Sequence, residues 1–145
     1  MLVVVLASAG AVTAIALPEL NRITSTTTAP VKLPAGCVKP ADGFLIVASE
    51  RGYNDSVDHG VPQNPWPVVN VQEGQNVTIV VCNVDPGEAH GFQIDNYFDS
   101  RTISLAPGQV LTVSFVPNKV GIFRIYCNIF CAIHWAMQSG ELVVA

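Results

Sequence analysis

Short alternations of apolar and polar residues, separated by Pro and Gly, dominate the chain after residue 42. Val77, Ile79 and Val81 alternate with their neighbours at the two-residue period of a strand whose faces differ. Similar runs occupy 43–49, 68–71, 90–94, 109–116, 122–127 and 140–144. Short strands at this spacing predict an all-β sandwich over residues 43–145.

A different pattern precedes this domain. Residues 2–17 are uncharged and almost wholly apolar or small, and as a helix they extend about 24 Å. We expect 1–18 to form a retained hydrophobic anchor helix, with a cleaved signal peptide as the alternative. Residues 19–42, rich in Thr and Pro, predict an extended tether. Both an anchor helix and a signal peptide would direct the following domain across a membrane, so we expect the domain on the extracytoplasmic side.

Composition narrows the possible partners. Only 12% of residues are charged, and the seven Lys and Arg are scattered singly along the chain. This predicts no nucleic-acid binding, which needs a clustered basic surface. In an exported protein Cys37 and Cys82 are candidates for a disulfide that joins the tether to the domain, and two unpaired cysteines are the alternative.

The segment 127–137, called here the soft-donor loop, carries the candidate chemistry. It contains Cys127, Cys131, His134 and Met137 within eleven residues. Thiolate and thioether groups select copper(I), and imidazole suits copper in either redox state. Zinc makes little use of a thioether. The loop therefore predicts a copper site.

One more donor is expected from another strand. The alternation in 122–127 puts Cys127 on the core side at a strand end, so the copper is buried and needs a ligand from elsewhere. His90 is the candidate, because Gly91 beside it lets another backbone approach. Asp85 and Glu88 precede His90 in a turn where solvent can satisfy them, and we assign no catalytic role to them.

The domain resembles a cupredoxin, and specifically the CuA domain of subunit II of haem-copper oxidases. The matching stretches are His90-Gly-Phe-Gln-Ile94, Ala106-Pro-Gly-Gln109, Val120-Gly-Ile-Phe-Arg-Ile-Tyr126 and the soft-donor loop. The resemblance implies a Greek-key sandwich and two coppers bridged by both thiolates. It implies that His90 and Met137 serve one copper, and that His134 and the backbone carbonyl of Ile129 serve the other.

The spacing of the loop departs from that family. Only two residues separate Cys131 from His134, where the CuA pattern usually has three. The spacing instead matches mononuclear blue-copper loops such as that of amicyanin, in which Cys131, His134, Met137 and His90 would hold one copper. The second cysteine favours two coppers and the shorter spacing favours one, so both interpretations stay open, with two preferred.

The resemblance implies electron transfer by a membrane-anchored, non-catalytic subunit of an oxidase complex. Electrons would pass from a redox-protein donor to haem in a membrane partner subunit. Trp135, between two proposed ligands, is a candidate for electron entry, and Trp66 is a weaker one. A copper redox enzyme, or a thiol-exchange protein or copper chaperone using Cys127 and Cys131, are the alternatives from other classes.

Overall fold

The computed structural model describes residues 32–54, 66–98 and 102–145, and these form an all-β protein, as predicted. Its only helical element in these ranges is a 3₁₀ turn at His134–Met137. The strands are β1 Phe44–Ser49, β2 Gly52–Asn54, β3 Val68–Val71, β4 Val77–Asn83, β5 His90–Gly91, β6 Gln93–Ile94, β7 Ser104–Leu105, β8 Val110–Phe115, β9 Gly121–Tyr126 and β10 Gly140–Val144. Six of the seven predicted runs each form one strand, and the run 90–94 is divided into β5 and β6, which pair in different sheets. The short strands β2 and β7 were not predicted.

Two four-stranded sheets face each other. The first has the order β2-β1-β4-β8 and the second β3-β10-β9-β6, while β5 and β7 form a separate pair. Strand β1 runs parallel to β4, and β3 runs parallel to β10. Ile79 of the first sheet and Ile125 and Leu142 of the second are fully buried in one core. Burial of the alternating residues therefore holds the layers together.

The outer face of the first sheet carries a second, smaller core. Cys37 and Cys82 form a disulfide and are buried together with Val47 and Val80. Part of the expected tether therefore packs on the sheet. Because β4 alternates, Cys82 lies on the opposite face from Val81, which belongs to the main core.

The expected anchor at 1–18, most of the tether, and His59, which we interpret as a surface histidine, lie outside the described residues. Among the residues that the structure describes, no helix has the length and apolar character needed to span a bilayer.

Candidate metal centre

Two loops meet at one end of the sandwich. The soft-donor loop follows β9, and residues 83–90, called here the histidine loop, connect β4 to β5. The soft-donor loop is closed at its base because the Cys127 N–H donates to the Met137 carbonyl at 2.8 Å. Gln138 Nε2 also donates to the Cys127 carbonyl at 2.9 Å. The two ends of the loop are thus fixed to each other, which makes the donors between them a compact group.

The donors predicted from the two loops come together. One ligand atom each from His90, Cys127 and Cys131 lies within 4.8 Å of the others, and all three residues are buried. The two sulfur atoms are 4.0 Å apart and neither is in a disulfide. Met137 is fully buried in the same core cluster as the two cysteines.

His134 and Ile129 lie on the more open side of the group. His134 Nδ1 is 2.9 Å from the Ile129 carbonyl oxygen, and the Cys127 thiol donates to that same oxygen at 3.1 Å. The two atoms proposed for the second copper therefore face each other beside Cys127. The ring of Phe130 lies over this edge, with its centroid 5.9 Å from that of His134.

The tautomer of His90 is set by a buried carboxylate that sequence reasoning missed. Asp85 Oδ2 is 2.9 Å from His90 Nε2, and Asp85 is 4% exposed. An ionised carboxylate only accepts, so Nε2 carries the proton and donates it. The other ring nitrogen, Nδ1, is buried and has no hydrogen-bond partner. Nδ1 therefore keeps a lone pair that can bind a metal. A carboxylate that accepts from the other ring nitrogen of a metal-binding histidine usually has this effect.

Asp85 is itself held by the backbone of its loop. Its Oδ1 accepts from the N–H groups of Gly87 at 2.8 Å and Glu88 at 3.0 Å. Burial alone would raise the pKa of Asp85, but these two hydrogen bonds and the one from His90 outweigh it and lower the pKa. An Asp two residues before a Gly is a known turn signal. That signal predicts the turn but not the burial, which depends on His90.

Gly91 allows the loops to approach. Its N–H donates to Cys127 Sγ at 3.1 Å, and its carbonyl accepts a short hydrogen bond from the buried Tyr53 hydroxyl. A Cβ at this position would lie 2.7 Å from Asn128 N and 3.0 Å from Ile129 N. The backbone of the soft-donor loop therefore leaves no room for a side chain at position 91. This agrees with the expectation that Gly91 lets another backbone approach.

The electrostatics of the two thiols differ. Burial opposes ionisation of Cys127, but the neighbouring His90, the Ile129 and Gly91 backbone and His134 lower its pKa. Burial, and then the charge on Cys127, raise the pKa of Cys131. A thiolate is the form that binds metals. Cys127 is the thiol that its surroundings prepare as a thiolate.

The candidate aromatic residues lie in different surroundings. The Trp135 side chain is 71% exposed at the edge of the loop, and Phe130 is 93% exposed. Trp66 is half-buried and packs against the main core. Phe130 was not singled out from the sequence, because a lone Phe between two cysteines equally fits a buried position.

These residues fit copper. A buried imidazole nitrogen without a partner stands beside two buried thiols, with a buried thioether in the same cluster. The set is soft, and it contains no carboxylate among the converging atoms.

No protein-family model matches the chain, but a nitrous-oxide reductase and a cytochrome oxidase subunit are among the known proteins that are similar in sequence. The nitrous-oxide reductase of Pseudomonas fluorescens is 37% identical over 76 residues, which are 50% of this chain and 12% of that enzyme. The cytochrome c oxidase subunit 2 of Thermus thermophilus is 27% identical over 85 residues, which are 59% of this chain and 58% of that subunit. The chain thus spans less than two thirds of either relative.

Solved structures share the fold. The reduced auracyanin of Roseiflexus castenholzii superposes with a TM-score of 0.53 at 18% identity, over 72% of this chain and 98% of that one. A chain of a haem-copper terminal oxidase dimer superposes with a TM-score of 0.50 at 18% identity, over 79% of this chain and 80% of that one. The first comparison shows a cupredoxin fold. Fold, donor set and relatives together fit a CuA-like cupredoxin.

Proposed function

We propose that this protein carries a dinuclear CuA-type centre and serves as subunit II of a terminal haem-copper oxidase. In this role it takes electrons from a redox-protein donor and passes them to haem in a membrane partner subunit. The hydrophobic segment 1–18 anchors the domain, and the copper centre lies on the extracytoplasmic side.

The observation that carries the dinuclear centre is the central position of Cys127. Its sulfur is 4.0 Å from that of Cys131 and within 4.8 Å of a ring nitrogen of His90. On its other side it contacts the Ile129 carbonyl oxygen, which His134 Nδ1 also contacts. If Cys131 were the only thiolate ligand, Cys127 would have no need to lie between the two imidazoles. Two sulfurs flanked by donors on both sides support two coppers that share them.

Each residue has a defined task in this proposal. His90 Nδ1 and Met137 would hold one copper, His134 and the Ile129 carbonyl would hold the other, and the thiolates of Cys127 and Cys131 would serve both. When bound, copper supplies one-electron redox chemistry. The protein holds its donors on a strand end and a loop closed at its base, so they need to move little when the charge of the centre changes.

Electron entry is assigned to the exposed edge of the soft-donor loop. Trp135 follows His134 directly and Phe130 follows Ile129, and both rings are exposed. Exposed aromatic groups beside donors give a short path through bonded atoms and an apolar surface for a donor protein. Trp66, half-buried two residues before β3, is assigned to packing.

A mononuclear centre remains the second candidate, because two rather than three residues separate Cys131 from His134. The copper content of the purified chain and its electron paramagnetic resonance spectrum separate the two. The dinuclear centre requires two coppers per chain and hyperfine splitting from both nuclei. One copper per chain with splitting from a single nucleus would refute it.

Substitution of the central thiol gives an independent test. Cys127→Ser is expected to remove the mixed-valence spectrum, because a bridging thiolate is lost. Cys131→Ser is the matched variant and is expected to abolish the thiolate absorption band in either interpretation. An unchanged spectrum in Cys127→Ser would contradict the dinuclear centre.

The anchor and the partner need a cellular test. Fractionation of cells expressing the full chain, or the chain without residues 1–18, is expected to find only the former in membranes. Purification of the full chain from its native membrane is expected to recover a haem-containing subunit. Recovery of the full chain in the soluble fraction would contradict the anchor.

A further inference from the structure

Glu88 connects the two loops of the metal centre. Its backbone N–H donates to Asp85 Oδ1 at 3.0 Å, and its backbone carbonyl accepts from Asn83 Nδ2 at 2.8 Å. Its side-chain Oε2 accepts from the Ala132 N–H at 2.9 Å, across 44 positions of sequence. The main chain of Glu88 is thus fixed within the histidine loop, while its carboxylate holds the soft-donor loop.

The point of attachment is the place where the soft-donor loop is short. Ala132 is the first of the two residues between Cys131 and His134. The turn that follows is tight, since His134 N–H donates to the Cys131 carbonyl at 3.1 Å. The backbone N–H of Ala132 takes no part in the hydrogen bond that closes this turn, and it donates to Glu88 instead. This bond lies at the surface, since Ala132 is exposed and Glu88 is half-buried, and solvent screens it in part. A carboxylate still binds a backbone N–H more strongly than a neutral acceptor does.

The carboxylate also acts on the centre through its charge. It accepts from the N–H of Ala132, which is bonded directly to Cys131, so its negative charge lies one residue from the Cys131 thiol. The same charge favours the more positive, oxidised state of a metal bound at this sulfur.

We propose that Glu88 is a positioning residue of the copper centre. Its carboxylate holds the shortened turn so that Cys131 and His134 face the same metal, and its charge lowers the reduction potential of that metal. This role rests on the copper centre proposed above.

Two variants distinguish the effect of the length of the Glu88 side chain from the effect of its charge. Glu88→Gln keeps the length and an acceptor oxygen but removes the charge, so we expect the wild-type spectrum with a higher reduction potential. Glu88→Asp keeps the charge but is one methylene too short to reach Ala132. We expect a chelator to remove its copper more readily, by about tenfold in affinity, the lower end of the usual effect of a residue behind a metal ligand. We also expect changed copper hyperfine splitting.

Glu73→Gln is the matched control. It removes the same charge as Glu88→Gln, and Glu73 is exposed in the turn between β3 and β4. It is expected to match the wild type in spectrum, potential and copper release. Wild-type copper release and splitting in Glu88→Asp would overturn the positioning role, and a wild-type potential in Glu88→Gln would overturn the role of charge. A wild-type protein that binds no copper would instead contradict the proposed function itself.

Discussion

Replacing Asp85 by Asn tests how the histidine loop prepares His90 for copper. The carboxylate satisfies three donors with two oxygens: the N–H groups of Gly87 and Glu88, and His90 Nε2–H. An amide of the same shape has one oxygen and one NH₂ group. If its oxygen stays on the two backbone N–H groups, its NH₂ group faces Nε2, and the proton must move to Nδ1. The nitrogen assigned to copper is then blocked.

The opposite orientation of the amide is worse. With its oxygen on His90, its NH₂ group meets the N–H groups of Gly87 and Glu88, which leaves donors facing donors in a buried turn. Each unsatisfied buried donor costs about 1–3 kcal/mol, so the first orientation should prevail. Asp85→Asn is therefore expected to fold and to keep the loop, but to present the wrong tautomer of His90.

The magnitude follows from the burial of the pair. Asp85 is 4% exposed and His90 is fully buried, so solvent does not weaken their hydrogen bond. A hydrogen bond to a charged group of this kind contributes about 1.5–3 kcal/mol. Loss of a residue behind a metal-binding histidine lowers metal affinity by about 10–100-fold, which corresponds to roughly the same range of free energy. Two separate arguments thus agree on the expected loss.

Competition with a copper chelator measures this loss, and the hyperfine splitting reports whether one donor has left. The control is Asp42→Asn, since Asp42 is exposed at the start of the domain. Thermal unfolding of the copper-free variants checks that the fold is intact. If Asp85→Asn binds copper with wild-type affinity and spectrum, the assignment of Nδ1 as the copper-binding nitrogen is wrong.

Three further predictions use other parts of the structure. Gly91→Ala forces a Cβ to 2.7 Å from the Asn128 backbone nitrogen. We expect overpacking to cost about 1–3 kcal/mol of stability and to change the copper spectrum; a wild-type spectrum and midpoint of thermal unfolding would contradict this. Reduction of the Cys37–Cys82 disulfide, which closes 45 residues, is expected to lower the free energy of unfolding by about 4 kcal/mol in the chain-entropy description. The copper spectrum of the folded protein should not change, because the bridge lies in the separate outer core. Tyr53→Phe removes a buried hydrogen bond to the Gly91 carbonyl and is expected to cost about 1–3 kcal/mol in chemical denaturation; an unchanged unfolding midpoint would refute it.

The sheets could be predicted from the sequence because each long strand carries its own signal. The alternation of Val77, Ile79 and Val81 predicts both the strand β4 and its buried face. In the structure all three residues lie in β4 and are buried. Strands β2 and β7 span three and two residues, too few to show a period. Strand β2 forms because the longer β1 offers it a backbone partner, and β7 pairs with the equally short β5.

The donor types were also predictable, because thiols, imidazole and thioether within one short segment rarely occur without a metal. Their supporting residues were not. The residues from Asp85 to Glu88 indicate a turn. The burial of Asp85 and the contact of the Glu88 side chain with another loop depend on which loop packs against that turn. Contacts across 44 positions, such as that of Glu88 with Ala132, leave no pattern in a single sequence.

The two sheets meet the copper centre from different sides. Asp85, which orients His90, follows the end of β4 in the first sheet, while Cys127 follows the end of β9 in the second. A change in the spacing between the layers therefore moves Asp85 relative to Cys127, and with it changes the hydrogen bond that orients His90. The visible absorption spectrum of the copper-loaded protein thus reports how tightly the two sheets are packed. It can be recorded while temperature or pressure is varied.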